Sequence, residues 1–436
     1  MRGYVLVLLF SLAVARVDAT SRIEGRWTGF QGVEETQQSI GLTVDGAGSG
    51  AIATVDFPAS GFVRIPLMQL VADGNSLEGR FWSYFHQGTL HVELEGEVLA
   101  GTITTKNYTA ELRLERNTRI PERTETGVTF QSPGATLAGR LFMPGGDGPH
   151  PGIVLVDGSG DTHRPFLYWY AEWFCDLGFA VLLYDKRGCG GSTGNWHEVG
   201  FDGLADDVVA ATAFLRKQPQ VDPRRIGWWG ISQAGWVMPM AATRPDPPAF
   251  MIVVSGGGVT VEREGHWDAE YFLPRHGFGP DVLEQAQAYI SLDDRVTRTG
   301  KGLEEQKAAY ARIKDEPWFD IAQLRAPLPM TAWFRPWYRS IMDVDHRPFV
   351  AGLTMPVVWF YGDDDDTFPS VEAAGMIREI GAANGRSFDV HMLPKTGHMM
   401  LVSPGPDAAI PVGQLNGKYL DAMQRWVLDR AGLPPK

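Results

Sequence analysis

Residues Arg225 to Met240 read RIGWWGISQAGWVMPM, and the way this stretch divides decides the fold. Ile226 to Trp229 is a short apolar run with the length and composition of a buried strand. It stops at Gly230-Ile231-Ser232-Gln233-Ala234-Gly235, after which the residues can form a helix. A strand-to-helix reversal with serine at its apex and very small residues two before and two after it is a nucleophile elbow, a strained turn that leaves Oγ exposed. The small neighbours are a steric need, because a side chain there would strike the facing strand or helix. Gly230 fits G-x-S-x-G, whereas Ala234 departs from it by one methyl, with Gly235 immediately after. An ordinary turn serine is the competing reading, since such a pentapeptide arises readily in a chain with 51 glycines.

Outward from this stretch, apolar strands alternate with helical segments. Gly152–Val156 is a continuous apolar strand followed by the glycine turn Asp157-Gly158-Ser159-Gly160-Asp161, and Phe166–Leu177 is helical. Phe179–Tyr184 is a second buried strand ending in Asp185-Lys186-Arg187-Gly188-Cys189-Gly190-Gly191-Ser192. Leu204–Leu215 has helical spacing and Ala249–Val254 is the next strand. Strands joined through helices imply a mostly parallel sheet with helices on both faces, whose ligands bind at the carboxyl ends of the strands. The alternation breaks between Gly258 and His346, where Val282–Tyr289 and Leu303–Ile313 read as helices among many aromatics. That segment is too long for a loop and reads as a helical lid over residues 258–346. The sheet resumes with Pro356–Tyr361, helix Ser370–Ile380, strand Phe388–Leu393 and a closing helix Tyr419–Arg430.

Upstream, Gly25 to about Asn117 shows short strands punctuated by Asp45-Gly46-Ala47-Gly48, Asp73-Gly74-Asn75 and Gly101, a small all-β domain over residues 24–118. His86 and His91 sit among its strand residues and read as structural. Arg116–Thr126 is a charged connector, and the catalytic domain occupies residues 125–436. Residues 1–19, with Arg2, an apolar run from Tyr4 to Ala15 and then Val17-Asp18-Ala19, have the pattern of a signal peptide. The run is too short to span a bilayer, so the expectation is an exported protein, periplasmic or secreted, without stable membrane association.

The 436 residues, 44% hydrophobic and 21% charged, describe an ordinary globular protein. A formal charge of −13 and no basic run argue against nucleic-acid partners. Cys175 and Cys189 are the two cysteines, which excludes a disulfide scaffold and leaves free thiols as the expectation.

A serine hydroxyl needs a base within hydrogen-bond reach, itself oriented by a third group. Of the two histidines after residue 346, His391 lies inside a strand, while His398 follows Lys395-Thr396-Gly397 in the loop beyond it and is the better base. The acid should leave the preceding strand, which runs into Gly362-Asp363-Asp364-Asp365-Asp366-Thr367-Phe368-Pro369. Four aspartates compete there, and a solvated acidic loop or a weak calcium site is the alternative. Donors for a developing oxyanion are available from the amide of Gln233 and from the turn at Gly158-Ser159.

Together these motifs make the chain resemble the α/β-hydrolase superfamily, specifically its exported esterases with an N-terminal β domain and a helical lid. The resemblance covers about residues 125–432. The family's His-Gly before the oxyanion turn is replaced here by Asp157-Gly158. Its Asp-x-Arg-Gly-x-Gly-x-Ser stretch is matched by Asp185 to Ser192, and its Gly-His by Gly397-His398. Its acid motif maps onto Asp365 between Gly362 and Pro369. The resemblance therefore implies a serine hydrolase of carboxylic esters with Ser232, His398 and Asp365 as triad, Ser159 and Gln233 as oxyanion donors, a small-molecule ester as partner, and neither cofactor nor metal. Prolyl-oligopeptidase-type enzymes gate their sites with a large propeller, which about 95 N-terminal residues cannot build. An exported aminopeptidase, a thioesterase and a catalytically silent binding protein of the same fold are the alternatives.

Overall fold

The computed structural model describes residues 22–32, 37–46, 50–83, 86–119, 122–162, 164–405 and 408–435; the signal-peptide segment lies outside them. The chain divides into two units, residues 1–56 with 64–118, and residues 57–63 with 119–436.

The first unit is built on β1 (Gly25–Gln31), β2 (Gln38–Asp45), β3 (Ile52–Phe57), β4 (Phe62–Pro66), β5 (Met68–Ala72), β6 (Ser76–Trp82), β7 (Gln87–Glu95), β8 (Val98–Thr105) and β9 (Thr109–Arg116). They form one nine-stranded sheet in the order β4-β3-β2-β1-β9-β8-β7-β6-β5. Alternation supplies one buried face, as in Leu90 and Val92 on β7 and Ala110, Leu112 and Leu114 on β9. The edge strands β4 and β5 are separated in sequence by Leu67 alone, so the sheet must curl until its two edges meet there. His86 is buried, and burial pushes its pKa down to about 4, which keeps it neutral. The charged connector is shorter than its sequence suggests, because β9 runs on to Arg116 and the next strand begins at Arg123.

The second unit carries β10 (Arg123–Ser132), β11 (Ala135–Pro144), β12 (His150–Val156), α1 (Tyr168–Asp176), β13 (Ala180–Tyr184), α2 (Gly200–Arg216), β14 (Val221–Ile231), α3 (Ala234–Ala241) and β15 (Met251–Val254). Then come α4 (Val261–Gly265), α5 (Trp267–Arg275), α6 (Pro280–Thr299), α7 (Leu303–Ile313), α8 (Phe334–Ile341), α9 (Arg347–Ala351), β16 (Val357–Gly362), α10 (Ser370–Ala383), β17 (Asp389–Leu393) and α11 (Gly417–Ala431). The sheet order is β10-β11-β13-β12-β14-β15-β16-β17. Its strands from β13 to β17 pair in parallel, and β10 and β11 add an antiparallel edge. This is the α/β-hydrolase architecture.

Strands buried on both faces feed two cores. Val154 and Val156 of β12 join one with Leu204, Val208 and Leu215 of α2 and Ile377 of α10. Ile153 and Leu155 join the other with Phe174 of α1 and Met423 and Val427 of α11. The inserted segment folds as α4 to α8. The helix read from sequence over Val282–Tyr289 is part of the 20-residue α6, which starts at Pro280 and stops where Gly300 adopts φ +70°. A proline in the first turn and a left-handed glycine just past the end are ordinary helix punctuation. Its polar second half, SLDDRVTRT, hides the continuation from an apolar-periodicity reading.

Candidate active site

Ser232 stands between β14 and α3 with φ +56°, a left-handed conformation that a side chain rarely adopts. The turn is held by the Ser232 N–H donating to Val254 O at 2.8 Å and the Gly235 N–H donating to Ser232 O at 2.8 Å. The small residues have separate steric reasons. A Cβ on Gly230 would lie 2.5 Å from the Ala234 Cβ, and one on Gly235 would lie 2.3 Å from the Gly256 carbonyl carbon. Gly230 therefore makes room for the extra methyl at 234, and Gly235, one place later than the G-x-S-x-G pattern expects, takes the close backbone approach.

Asp365 lies in the loop after β16, nearly inaccessible. Its Oδ1 accepts from the N–H groups of Thr367 (3.0 Å) and Phe368 (2.9 Å), and its Oδ2 accepts from Ser370 Oγ (2.8 Å). His398, in the loop after β17, presents Nδ1 to the same carboxylate at 3.0 and 3.1 Å. The neighbouring aspartates go elsewhere: Asp363 accepts from the Lys395 N–H (2.6 Å), Asp364 from Tyr271 Oη (2.8 Å), and Asp366 from Thr367 Oγ1 (3.2 Å). Of the four, Asp365 is the one on the imidazole. Gly362 is needed for the two loops to meet, since a Cβ there would lie 1.9 Å from Thr396 O. The His398 loop is tied down by Asn416 Nδ2, which donates to Thr396 Oγ1 at 2.7 Å.

Burial works to lower the His398 pKa, but the charge and hydrogen bond of Asp365, with Glu264 and Asp366, outweigh it and leave the value raised. Ser232 is half-buried, and among the described residues its Oγ makes no hydrogen bond to the His398 ring. That contact commonly tightens only with substrate in place.

The turn after β12 packs against the elbow: a Cβ on Gly158 would lie 3.4 Å from Ser232 Cβ and 3.9 Å from its Oγ. Among the described residues the N–H groups of Ser159 and Gln233 have no hydrogen-bond acceptor, so both remain available as donors. Asp157 is buried, and burial pushes its pKa up to about 7 against the pull of Lys186.

Several partners of this arrangement escape a sequence reading. Trp267 Nε1 of α5 donates to Asp365 O at 2.9 Å, fastening the inserted helices to the acid loop. Glu264 and Asp268, on the same segment, interact electrostatically with His398. Burial raises Glu264 to about 8 and Asp268 to about 6. Their spacing of four residues was visible in the sequence, but nothing there ties them to His398. Cys175 and Cys189 are buried and unbridged. Among the described residues no cluster of His, Cys, Asp and Glu could hold a metal ion, and no helix is long and apolar enough to cross a membrane.

A doubly covered parallel sheet with a serine elbow at one strand end and a His–Asp pair at two others defines the chain as an α/β-hydrolase, and more closely a serine hydrolase. The pattern of the X-Pro dipeptidyl-peptidase (S15) family matches residues 133–396, more than half of the chain, and the protein belongs to that family. Among curated proteins it resembles the thiohydrolase aneE of Aspergillus aculeatus (37% identity over 116 residues, 26% of this chain and 36% of that one). It also resembles the quorum-quenching protein AidA of Acinetobacter baumannii (33% over 109 residues, 25% and 36%). The chain thus spans little more than a third of the length of these relatives. Among solved structures, an esterase of Pyrococcus furiosus, Pf2001, aligns over 71% of this chain and 91% of its own with 14% identity and a TM-score of 0.47.

Proposed function

We propose that this protein hydrolyses carboxylic esters through an acyl-enzyme on Ser232. The observation that carries the reading is the His398–Asp365 contact. With Nδ1–H committed to the carboxylate, the lone pair of the neutral ring sits on Nε2 and can take the Ser232 proton as Oγ attacks the ester carbonyl. The tetrahedral oxyanion accepts from the amides of Ser159 and Gln233. Imidazolium then protonates the departing alkoxide, and water, activated by the same ring, releases the acid. Asp365, held by three further donors, keeps the imidazole in the required tautomer and offsets its charge. The protein's natural route to substrate would follow export, as the N-terminal sequence suggests.

A second reading, hydrolysis of aminoacyl or dipeptidyl amides, is favoured by Glu264 and Asp268. These carboxyl groups are coupled to His398 and pair with no Lys or Arg among the described residues. They suit a substrate bearing an amine near the scissile bond. The family's name and the thiohydrolase relative point to amides and thioesters as the competing substrates. A panel of p-nitrophenyl esters, thioesters, and aminoacyl and Xaa-Pro p-nitroanilides separates them. The ester reading expects the largest kcat/KM on the esters, and a larger value on the anilides would replace it with the second.

A further inference from the structure

The stretch from Asp185 to Arg187 leaves β13 toward the candidate active site, and its three charged residues do different things. Asp185 holds its own loop, accepting from the N–H groups of Arg164 (2.8 Å) and Gly191 (2.9 Å) and from Arg164 Nε (3.1 Å). Arg187 makes a buried two-point pair with Asp207 of α2, at 2.6 and 2.7 Å. Lys186 alone reaches the catalytic turn. It is buried, and its Nζ donates to Gly158 O, to Gly160 O at 3.0 Å and to Gln233 Oε1 at 3.2 Å. An ammonium group has three protons and no acceptor, so this set of partners is complete.

The peptide geometry gives these contacts a consequence. The C=O of Gly158 and the N–H of Ser159 belong to one planar peptide unit and, in the trans form, point in opposite directions. An ammonium that fixes the Gly158 oxygen therefore fixes the direction of the Ser159 N–H. The third contact is to the side chain of Gln233, the residue whose own N–H is the other free donor. We propose that Lys186 is a positioning residue for the oxyanion site, setting the Gly158–Ser159 peptide plane and Gln233 so that both amides face the tetrahedral oxygen. The inference rests on the serine-hydrolase reading above and adds a residue that the Asp-x-Arg-Gly motif leaves as x. Burial lowers the Lys186 pKa to about 8, with Asp157 foremost among the groups resisting that shift. The charged form that can donate three ways thus prevails at neutral pH.

Oxyanion donors act on the transition state and little on bound substrate. In the full chain, Lys186→Met should lower kcat for a short-chain p-nitrophenyl ester about 10- to 100-fold with KM within about threefold. It should weaken a boronic acid, which forms a tetrahedral adduct with serine, by the same factor as kcat. Unchanged kcat and unchanged boronic acid affinity overturn the proposal, as does a loss carried by KM alone. If Lys186→Met does not fold, Gln233→Met decides, since it removes one of the three acceptors and keeps the backbone amide. A smaller parallel loss in the same two quantities supports the proposal, and no change overturns it. Wild-type protein that neither hydrolyses esters nor reacts with a fluorophosphonate would instead remove the serine-hydrolase reading, and this inference with it.

Discussion

Among its described residues the second unit contains two hydrogen-bonded His–Asp pairs, His398–Asp365 and His266–Asp294, and only the first leaves a ring nitrogen free to act as a base. His398 meets Asp365 through Nδ1 at 3.0 Å, and its other ring nitrogen has no hydrogen-bond partner among the described residues. His266, at the start of α5, bonds Asp294 of α6 through Nε2 at 2.8 Å and contacts Gln287 through Nδ1. Both of its nitrogens are committed, so no lone pair remains for substrate chemistry. Both imidazoles have raised pKa values, His266 chiefly through its hydrogen bond to Asp294 and His398 through Asp365 acting against burial. A carboxylate partner and a shifted pKa therefore do not by themselves mark a catalytic histidine. What separates the pairs is an uncommitted nitrogen at a strand end shared with a strained serine.

The largest expected effect comes from removing the proposed nucleophile or base: Ser232→Ala or His398→Ala should lower kcat on esters about 10⁵- to 10⁶-fold. Steady-state assays of the purified variants would check this, and activity within tenfold of wild type would move the nucleophile or base elsewhere. Asp365→Asn should cost about 10⁴-fold in kcat, whereas Asp364→Asn, on a carboxylate bound to Tyr271, should cost less than about tenfold. The reverse order would shift the acid to position 364.

The pH profile sharpens the comparison further. As the proposed base, His398 would be competent only when neutral, and its pKa is raised, so activity should be lost as pH falls through a midpoint above the ordinary value of 6.5. In Asp365→Asn the carboxylate charge is gone, burial is less opposed, and the residual activity should show its midpoint at lower pH. At the other pair, His266→Gln should leave kcat within about threefold and the acid limb unmoved. Its cost should appear in thermal unfolding, at about 1–3 kcal/mol for leaving buried Asp294 short of a partner. A moved acid limb would mean that the His266–Asp294 pair, and not only Glu264 of the inserted segment, tunes His398.

Much of this was legible in the chain. The elbow could be read because strand, serine and small residues are contiguous, and His398 because the competing His391 falls inside β17. The four aspartates could not be separated by spacing alone, since each sits at a comparable distance from the strand end. The choice depends on which carboxylate collects the Thr367, Phe368 and Ser370 donors and faces the imidazole. Lys186, Trp267 and Asn416 were not legible as partners of the site, because each acts through a contact between segments far apart in sequence. The nine-stranded sheet was only partly visible, since β4 and β5 are five residues each and β5 carries no fully buried side chain to mark its alternation.

The central claim, that Ser232 is a nucleophile activated by the His398–Asp365 pair, is tested most directly by a fluorophosphonate probe followed by peptide mapping. Wild-type protein should carry the adduct on Ser232, and His398→Ala should label far more slowly. An adduct on another residue, or an unlabelled folded protein, would contradict the account.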